Sequence, residues 1–364
     1  SRQYIAGRTC KGCSLTINGQ DVKVYSTGGF AIQLDLIPGD TTFLLSAFAG
    51  SGKAVLKNIF YKYILPTSPL PDSTFSIESI STYPEGNLQL SAGDQIAVKI
   101  KALPGCKASW LDNQPLFELP VNQANGMPGI YQAYYTVKEN DPLIHGNIPV
   151  TLINASGQRI TKVTPYQFFM MPEKMVGQTI GSLPYLEYGL GDDRLGGAKM
   201  GYLDTLVKLR ITGKVNDEYK VQLSPELSAY IPEDNVELLP QGTLPPSSLT
   251  HNWRVWGDSV YDYVSVSLSE RLPYRSQQLL DPSRIAIDIF GATSNTNWIT
   301  QYQSVREIKN VDYEQLPGNV VRLIVTLRHP QAWGYGIYYE GNNLVIKIKQ
   351  QPDHLTLDYL TIAV

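Results

Sequence analysis

The amino-acid sequence predicts an all-β protein built from tandem β-sandwich modules and one small barrel. Short runs that alternate apolar and polar residues recur along the whole chain, and this period of two is typical of half-buried strands. The 364 residues include 30 glycines and 24 prolines, which supply turns between the runs, and 23 tyrosines, which favour strands. Because one all-β core does not extend over so long a chain, several domains are expected.

The overall composition argues against a nucleic-acid-binding protein and against a transmembrane protein. Charged residues make up 17% of the chain and the net charge is −3, so the sequence lacks the concentrated positive charge of a nucleic-acid-binding protein. No apolar run approaches the roughly 18 residues that span a bilayer, so we expect no transmembrane segment. Few charges and many tyrosines favour extracytoplasmic modules. No signal peptide precedes Ser1, so the chain is either cytosolic or already trimmed. We favour the second interpretation, a secreted periplasmic or cell-envelope protein whose signal peptide was removed.

The alternating runs and turn residues of 1–65 predict a first β-sandwich. Asn18-Gly19 lies between two short alternating runs, which is the strongest short-range hairpin pattern in the chain. A further strand is expected at 30–37, and a glycine-rich turn at 50–52 leads into the last one. This segment resembles the Ig-like sandwiches that are appended to bacterial surface and polysaccharide enzymes.

The three cysteines, Cys10, Cys13 and Cys106, cannot all pair within one chain. Cys10 and Cys13 have the C-x-x-C spacing of a redox or metal half-site, but they precede a hairpin and have no second Cys or His pair. We therefore expect either a local disulfide or two free thiols at this position, and the sequence leaves the state of all three cysteines open.

A proline-rich linker at 65–72 leads to a second predicted Ig-like sandwich at 73–171. Its clearest strand is expected at 95–102, and its last hairpin is expected to turn at 154–157. We interpret Trp110 as a core residue, with an exposed sugar-stacking position as the alternative.

Residues 172–240 predict the small barrel. Two alternating runs, 207–213 and 219–224, indicate a hairpin, and a second arm joins 230–232 to 236–238. The order of a long polar loop, three strands, a short turn and a closing strand resembles the bacterial SH3-like domain of cell-wall enzymes. That resemblance implies a recognition or spacing module attached to a catalyst.

Three tyrosines are the candidate ligand-binding residues of this module: Tyr188, Tyr202 and Tyr230. Aromatic faces stack on sugar rings and on peptide methylenes, so these side chains would suit a groove for a glycan or a peptide. The alternative for each of them is packing in a small core.

Residues 248–352 alternate almost without interruption and predict one antiparallel sandwich. The runs at 287–290 (IDIF), 322–325 (RLIV) and 344–346 (LVI) resemble strands of the AMIN family, the localisation domains of periplasmic peptidoglycan amidases. The resemblance implies a module without catalysis that targets an enzyme to the wall or the division site.

Three aromatic residues of this module are candidate contacts for a glycan: Trp298, Trp333 and Tyr335. Trp333 and Tyr335 belong to an aromatic insertion that is longer than the AMIN pattern requires. For the two tryptophans, burial in the core is the alternative.

The sequence shows no catalytic centre and no metal site of its own. Its four histidines are scattered along the chain, whereas a catalytic zinc needs three clustered ligands. The adjacent acids at 192–193 and at 233–234 point in divergent directions, which does not suit the carboxylate pair of a glycosidase. We therefore assign no catalytic residue and no metal ligand.

Residues 353–364 end in LTIAV, which predicts a buried strand. In the zinc-dependent N-acetylmuramoyl-L-alanine amidases, a strand of this kind leads into a D-x-G-H-G-G motif whose histidine binds the metal. The resemblance implies that 353–364 are a linker and the first strand of a missing amidase domain. The zinc cofactor is expected in that domain and no cofactor in the residues given.

Together, these resemblances predict the non-catalytic, wall-targeting region of a peptidoglycan-hydrolysing N-acetylmuramoyl-L-alanine amidase. The expected partner is peptidoglycan or another cell-wall glycan, and an activator or another envelope protein is a further candidate partner. The alternative is a stand-alone surface glycan-binding or adhesin-like chain of modules with no enzyme attached.

Overall fold

The alternating runs form strands throughout the part of the chain that the structure describes. That structure is a computed structural model, and it describes residues 2–36, 39–50, 52, 54–63, 74–171, 175–191, 197–296 and 298–352. These residues contain 32 β-strands, numbered below in chain order, and one short 3-10 turn at Glu233–Asn235. The predicted all-β class is confirmed. Among these residues, no helix is long and apolar enough to cross a membrane.

The described residues divide into two compact units, one within Ser1–Pro71 and Asn125–Met127, the other within Asp72–Ala124 and Pro128–Val364. The predicted linker at 65–72 and the predicted strand in 353–364 lie outside the described residues. The module boundaries proposed from the sequence stay predictions.

The first unit contains two antiparallel sheets around a small apolar core. Its strands are β1 (Arg2–Arg8), β2 (Ser14–Ile17), β3 (Gln20–Val22), β4 (Gly29–Asp35), β5 (Gly39–Phe48) and β6 (Ala54–Tyr63). β1 pairs with β4, and the second sheet has the order β3-β2-β5-β6. The predicted Asn18-Gly19 hairpin is present, because both residues adopt the positive φ angles (49° and 81°) that a tight turn between β2 and β3 requires. Cys10 and Cys13 form a disulfide, whereas Cys106 is a free thiol.

The second unit begins with eight hydrogen-bonded strands in residues 74–171. Its strands are β7 (Ile77–Tyr83), β8 (Leu88–Leu90), β9 (Gln95–Ala102), β10 (Lys107–Trp110), β11 (Gln114–Glu118), β12 (Ile130–Thr136), β13 (His145–Ile153) and β14 (Arg159–Met170). They pair in the order β8-β14-β13-β10-β11-β12-β9-β7, and β8 runs parallel to β14. Trp110 is buried among apolar residues of this core, as its core interpretation predicted.

Residues 175–238 form the strands of the predicted barrel. These are β15 (Met175–Thr179), β16 (Tyr185–Glu187), β17 (Lys199–Tyr202), β18 (Lys208–Val215), β19 (Glu218–Ser224), β20 (Leu227–Pro232) and β21 (Val236–Leu238). Their pairing order is β21-β15-β18-β19-β20-β16-β17, and within the described residues the two end strands do not pair. The arrangement is therefore an open sheet and not a closed barrel. β18 also pairs with β8, so hydrogen bonds continue from the preceding module into this one.

The last module holds its core between two sheets. Its strands are β22 (Ser248–Thr250), β23 (Trp253–Gly257), β24 (Tyr261–Ser267), β25 (Tyr274–Leu280), β26 (Ser283–Phe290), β27 (Ala292–Ser294), β28 (Ile299–Gln301), β29 (Ile308–Leu316), β30 (Val320–Leu327), β31 (Tyr335–Glu340) and β32 (Asn343–Lys349). One sheet has the order β28-β23-β24-β32-β31 and the other the order β25-β26-β30-β29.

The prediction of a purely antiparallel module is corrected at two places. β22 pairs with β27 and β23 pairs with β28, and both pairs are parallel. The physical reason is that β22 and β23 follow each other along the chain, as β27 and β28 do, and the two segments lie side by side in the same direction.

Polar contacts attach the last module to the loop between β17 and β18. The Asp204 carboxylate accepts the backbone N–H of Tyr339 at 3.0 Å. The Arg271 guanidinium donates to the carbonyl of Thr205 at 2.7 Å, and Lys208 forms an ion pair with Glu270 at 2.5 Å. Apolar side chains of both modules also belong to one continuous buried cluster. The two modules therefore form a shared core within the second unit.

A buried carboxylate organises one end of the last module. Asp262 lies in β24 and is fully buried. Its oxygens accept the backbone N–H groups of Arg306, Glu307 and Ile308 at 3.0, 2.6 and 2.9 Å, and the side-chain amide of Gln350 at 2.8 Å. Because buried N–H groups without acceptors are costly, this one side chain holds the start of β29 and the end of β32 against β24.

We expect Asp262→Ala to lower the free energy of unfolding of this module by about 3 kcal/mol or more, since it leaves the buried N–H groups of Glu307 and Ile308 and the part-buried N–H group of Arg306 without this acceptor. Tryptophan fluorescence during urea unfolding measures this, because four of the five tryptophans lie between residues 253 and 333. Asp312→Ala, which removes an exposed carboxylate of the same module, is the control and should change the free energy by less than about 0.5 kcal/mol. Equal effects of the two substitutions would contradict the role of Asp262.

Candidate functional site

The outer surface of the five-stranded sheet carries a row of aromatic and cationic side chains. Alternation along β23 buries Trp253 and Val255 and turns Arg254 and Trp256 outward. We call the outward side chains of this sheet and of the adjoining loop the aromatic face. Its members are Arg254, Trp256, Tyr261, Tyr263, Trp298, Tyr302 and Lys347.

Ring contacts order the centre of the aromatic face. Trp256 stacks on Tyr263 with ring centroids 5.2 Å apart and an angle of 12° between the planes. The Tyr263 hydroxyl donates to the Asp258 carboxylate at 2.8 Å, and Tyr261 lies 6.3 Å from Tyr263, centroid to centroid. Because stacked rings and a hydroxyl with a partner restrict rotamers, these rings present a preorganised surface.

Arg254 supplies a cation in the middle of these rings. Its guanidinium lies 5.8 Å from the Trp256 ring centroid and 5.7 Å from that of Tyr302, and it donates to the Tyr302 hydroxyl at 3.3 Å. Within the described residues, Arg254 has no acidic partner at ion-pair distance. Its charge is therefore available to an anionic group of a ligand.

The two ends of the aromatic face differ. At one end the Lys347 ammonium sits over the Tyr261 ring, 3.9 Å from its centroid. At the other end Trp298 is 76% exposed, although its indole N–H donates to the Thr300 hydroxyl at 3.0 Å. Trp298, Arg254 and Tyr302 together line a groove beside β23. An exposed indole beside a groove is available for stacking.

The structure separates the three aromatic residues that the sequence indicated in this module. Trp298 belongs to the aromatic face. Tyr335 packs partly buried against the core, and its hydroxyl is 3.2 Å from that of Ser276. Within the described residues, the buried indole nitrogen of Trp333 has no hydrogen-bond partner. Neither Trp333 nor Tyr335 is a member of the aromatic face, and the sequence analysis did not single out Arg254, Trp256 or Tyr263, which are members.

The three tyrosines proposed in 172–240 occupy two places. Tyr188 and Tyr230 line one cleft, together with Tyr83 of the preceding module. Tyr202 lies elsewhere, edge-on to Tyr185 with ring centroids 6.3 Å apart. The structure thus brings two of the three together.

The acidic side chains of this segment have structural partners or like-charged neighbours. Glu233 accepts from the Lys214 ammonium at 2.6 Å and from the Tyr219 hydroxyl at 3.1 Å. Burial, with the charges of Glu187 and Asp217 nearby, raises the pKa of Glu218 to about 7. The acidic pair at 192–193 lies outside the described residues. In the part of the chain that the structure describes, no three His, Cys, Asp or Glu side chains are grouped to hold a metal ion.

Residues 252–348 match the AMIN domain family. Domains of this family occur in peptidoglycan hydrolases such as amidases, in periplasmic or envelope proteins, and they bind peptidoglycan. This match indicates a targeting role at the cell wall for this module. The matched residues include every member of the aromatic face. Among curated proteins, none matches the chain.

We expect the free energy of unfolding to fall as the pH rises from about 4.5 to about 7, because Glu218 binds a proton more tightly in the folded chain than in the unfolded one. Glu218→Gln should remove this part of the pH dependence. Urea unfolding at a series of pH values measures it, with Glu226→Gln, at an exposed carboxylate of the same module, as the control. An unchanged pH dependence in Glu218→Gln would contradict the assignment.

Proposed function

We propose that this chain is the non-catalytic, wall-targeting region of a peptidoglycan-hydrolysing enzyme, and that the aromatic face is its contact with peptidoglycan. One observation carries the proposal: the residues that match the AMIN family present a partly exposed row of aromatic rings, one pair of them stacked, beside an arginine that has no acidic partner among the described residues. Such a module positions an attached catalyst by raising its local concentration at the substrate.

The chemistry of the aromatic face fits both parts of peptidoglycan. Sugar rings present C–H groups on their faces, which pack on the indole of Trp298 and on the rings around Trp256. The peptide stems carry carboxylates, which a guanidinium binds with two parallel hydrogen bonds. Arg254 is the cation placed for this contact, since it lies between two rings and has no acidic partner among the described residues.

We further propose that the attached enzyme is a zinc-dependent N-acetylmuramoyl-L-alanine amidase. The support is the AMIN match together with the resemblance of 353–364 to the strand that precedes the metal-binding motif of these amidases. In such a domain zinc polarises the scissile carbonyl and activates water. The protein would act in the periplasm or cell envelope after removal of a signal peptide, and an activator or another envelope protein remains a proposed partner.

Substitution of the exposed indole tests the role of the aromatic face. We expect Trp298→Ala to weaken the binding of the chain to purified peptidoglycan sacculi about tenfold, because one stacking contact is lost. Arg254→Ala should weaken binding most at low salt, since the lost contact is ionic. Co-sedimentation at several protein concentrations measures both effects.

The matched control is Tyr134→Ala, because Tyr134 is an aromatic residue of equal exposure (75%, against 76% for Trp298) in another module. It should leave sedimentation unchanged. If Trp298→Ala and Arg254→Ala sediment like the unaltered chain, or if the unaltered chain stays in the supernatant, the proposed peptidoglycan contact is wrong.

The amidase proposal has a separate test. The protein that carries this region in its natural host should release peptide stems from sacculi and expose the amino group of L-alanine, and chelation of zinc should abolish this release. A natural protein that binds sacculi without releasing stems would instead support a stand-alone glycan-binding chain.

A further inference from the structure

A second surface of the chain also has the character of a binding site. It is the cleft lined by Tyr83 of β7, by Tyr188, and by Tyr230 of β20, and we call it the tyrosine cleft. It lies between the modules at 74–171 and 175–238, about 340 Å³ in volume, which falls within the range of roughly 300–1,000 Å³ for small-molecule sites.

The walls of the tyrosine cleft are held in place by hydrogen bonds between the two modules. The Asn216 side chain accepts the backbone N–H of Asn87 at 2.9 Å and donates to the carbonyl of Glu85 at 3.3 Å. The Ser91 hydroxyl donates to the carbonyl of Thr212 at 2.6 Å. These bonds lie beside the backbone hydrogen bonds that pair β8 with β18, and all of these residues belong to the second unit. The positions of the cleft walls are therefore fixed within that unit.

The charges of the tyrosine cleft cancel. Lys220 forms an ion pair with Asp94 at 2.5 Å, and Asp94 also accepts the backbone N–H of Ser91 at 2.8 Å. The second lysine, Lys214, is paired with Glu233 at 2.6 Å. Both cations are thus neutralised within the protein, so the described residues that line the cleft offer no free positive charge to an anionic ligand.

Uncharged polar groups of the tyrosine cleft are, in contrast, unused. Among the described residues, nothing forms a hydrogen bond with the hydroxyls of Tyr230 and Ser228 or with the side-chain amides of Gln89 and Gln95. Tyr83 and Tyr188 are 70% and 52% exposed, so their rings are open to a ligand. The cleft therefore combines aromatic faces with free neutral donors and acceptors.

We infer that the tyrosine cleft binds an uncharged saccharide. A pyranose ring offers apolar faces to the tyrosines and many hydroxyls to the amide and hydroxyl groups of the cleft. It is uncharged, so it needs no ion pair with the lysines, which are already paired. This inference rests on the proposed function, because it adds a second contact with the glycan strand of the wall, distant in sequence from the aromatic face. It adds the cleft as a saccharide contact beside the sugar contact proposed for Trp298, and it leaves the charged stems to Arg254.

The test uses the complete chain and chitotetraose, a neutral β-1,4-linked N-acetylglucosamine tetramer, in titration calorimetry and saturation-transfer NMR. We expect saturable binding that changes less than twofold between low and high salt, since no ion pair forms. Tyr188→Ala and Gln95→Ala should each weaken this binding about fivefold to tenfold. The control is Tyr202→Ala, because Tyr202 is as exposed as Tyr188 (51% against 52%), lies in the same module, and is outside the cleft.

The outcomes separate this inference from the proposed function. Weaker chitotetraose binding in both cleft variants, with Tyr202→Ala unaffected, supports the tyrosine cleft, whereas weaker binding in Trp298→Ala alone places the saccharide on the aromatic face and overturns it. Absence of chitotetraose binding, or binding that both cleft variants retain, overturns it even if the chain still sediments with sacculi. Salt-dependent binding of a free stem peptide that the cleft variants abolish would overturn the saccharide assignment in favour of a peptide.

Discussion

The fully buried carboxylate of Asp262 is the interaction on which the last module depends. It lies between two outward tyrosines of β24, and its oxygens accept backbone N–H groups from the start of β29. Successive residues of a strand point to opposite faces, so anchoring Asp262 inside the module turns Tyr261 and Tyr263 toward solvent. The hydrogen bonds that compensate for the burial of the Asp262 carboxylate therefore also fix which side chains of β24 belong to the aromatic face.

Two kinds of recognition chemistry are separated within the second unit. The aromatic face combines rings with a guanidinium that has no acidic partner among the described residues, whereas the tyrosine cleft combines rings with neutral groups and internally paired lysines. The glycan strands and the peptide stems of a cell wall differ in the same way. If each surface binds weakly, the two together bind a polymer far more tightly than either alone, because the second contact forms within the same complex.

The contacts between modules explain how weak surfaces can be used together. Arg271 and Asp204 attach the last module to the one before it, and Asn216 attaches that one to the module at 74–171. A hydrogen-bonded and apolar connection of this kind reduces the conformational entropy lost when both surfaces bind one ligand. In the proposed function, the connections between the modules of the second unit thus contribute to binding because they hold both surfaces within one unit.

Strand alternation and turn chemistry act between neighbours in the sequence, and for that reason the all-β class, the Asn18-Gly19 hairpin and the burial of Trp110 were predictable. Which face of a strand is outward was not, because β23 carries a tryptophan on each face: Trp253 is buried in the core, whereas Trp256 is half-buried and belongs to the aromatic face. Only the packing of the opposite sheet decides between them.

The tyrosine cleft required the tertiary structure for a similar reason. Tyr188 and Tyr230 could be named as aromatic candidates, but their meeting with Tyr83 depends on the contact between β8 and β18. The hydrogen bond beside this contact joins Ser91 to Thr212, 121 residues further along the chain. Local patterns carry information about the next few residues, whereas pairing across such a distance is selected by the burial of the whole core. The sequence therefore named residue types suited to a glycan, and the fold decided which of them share a surface.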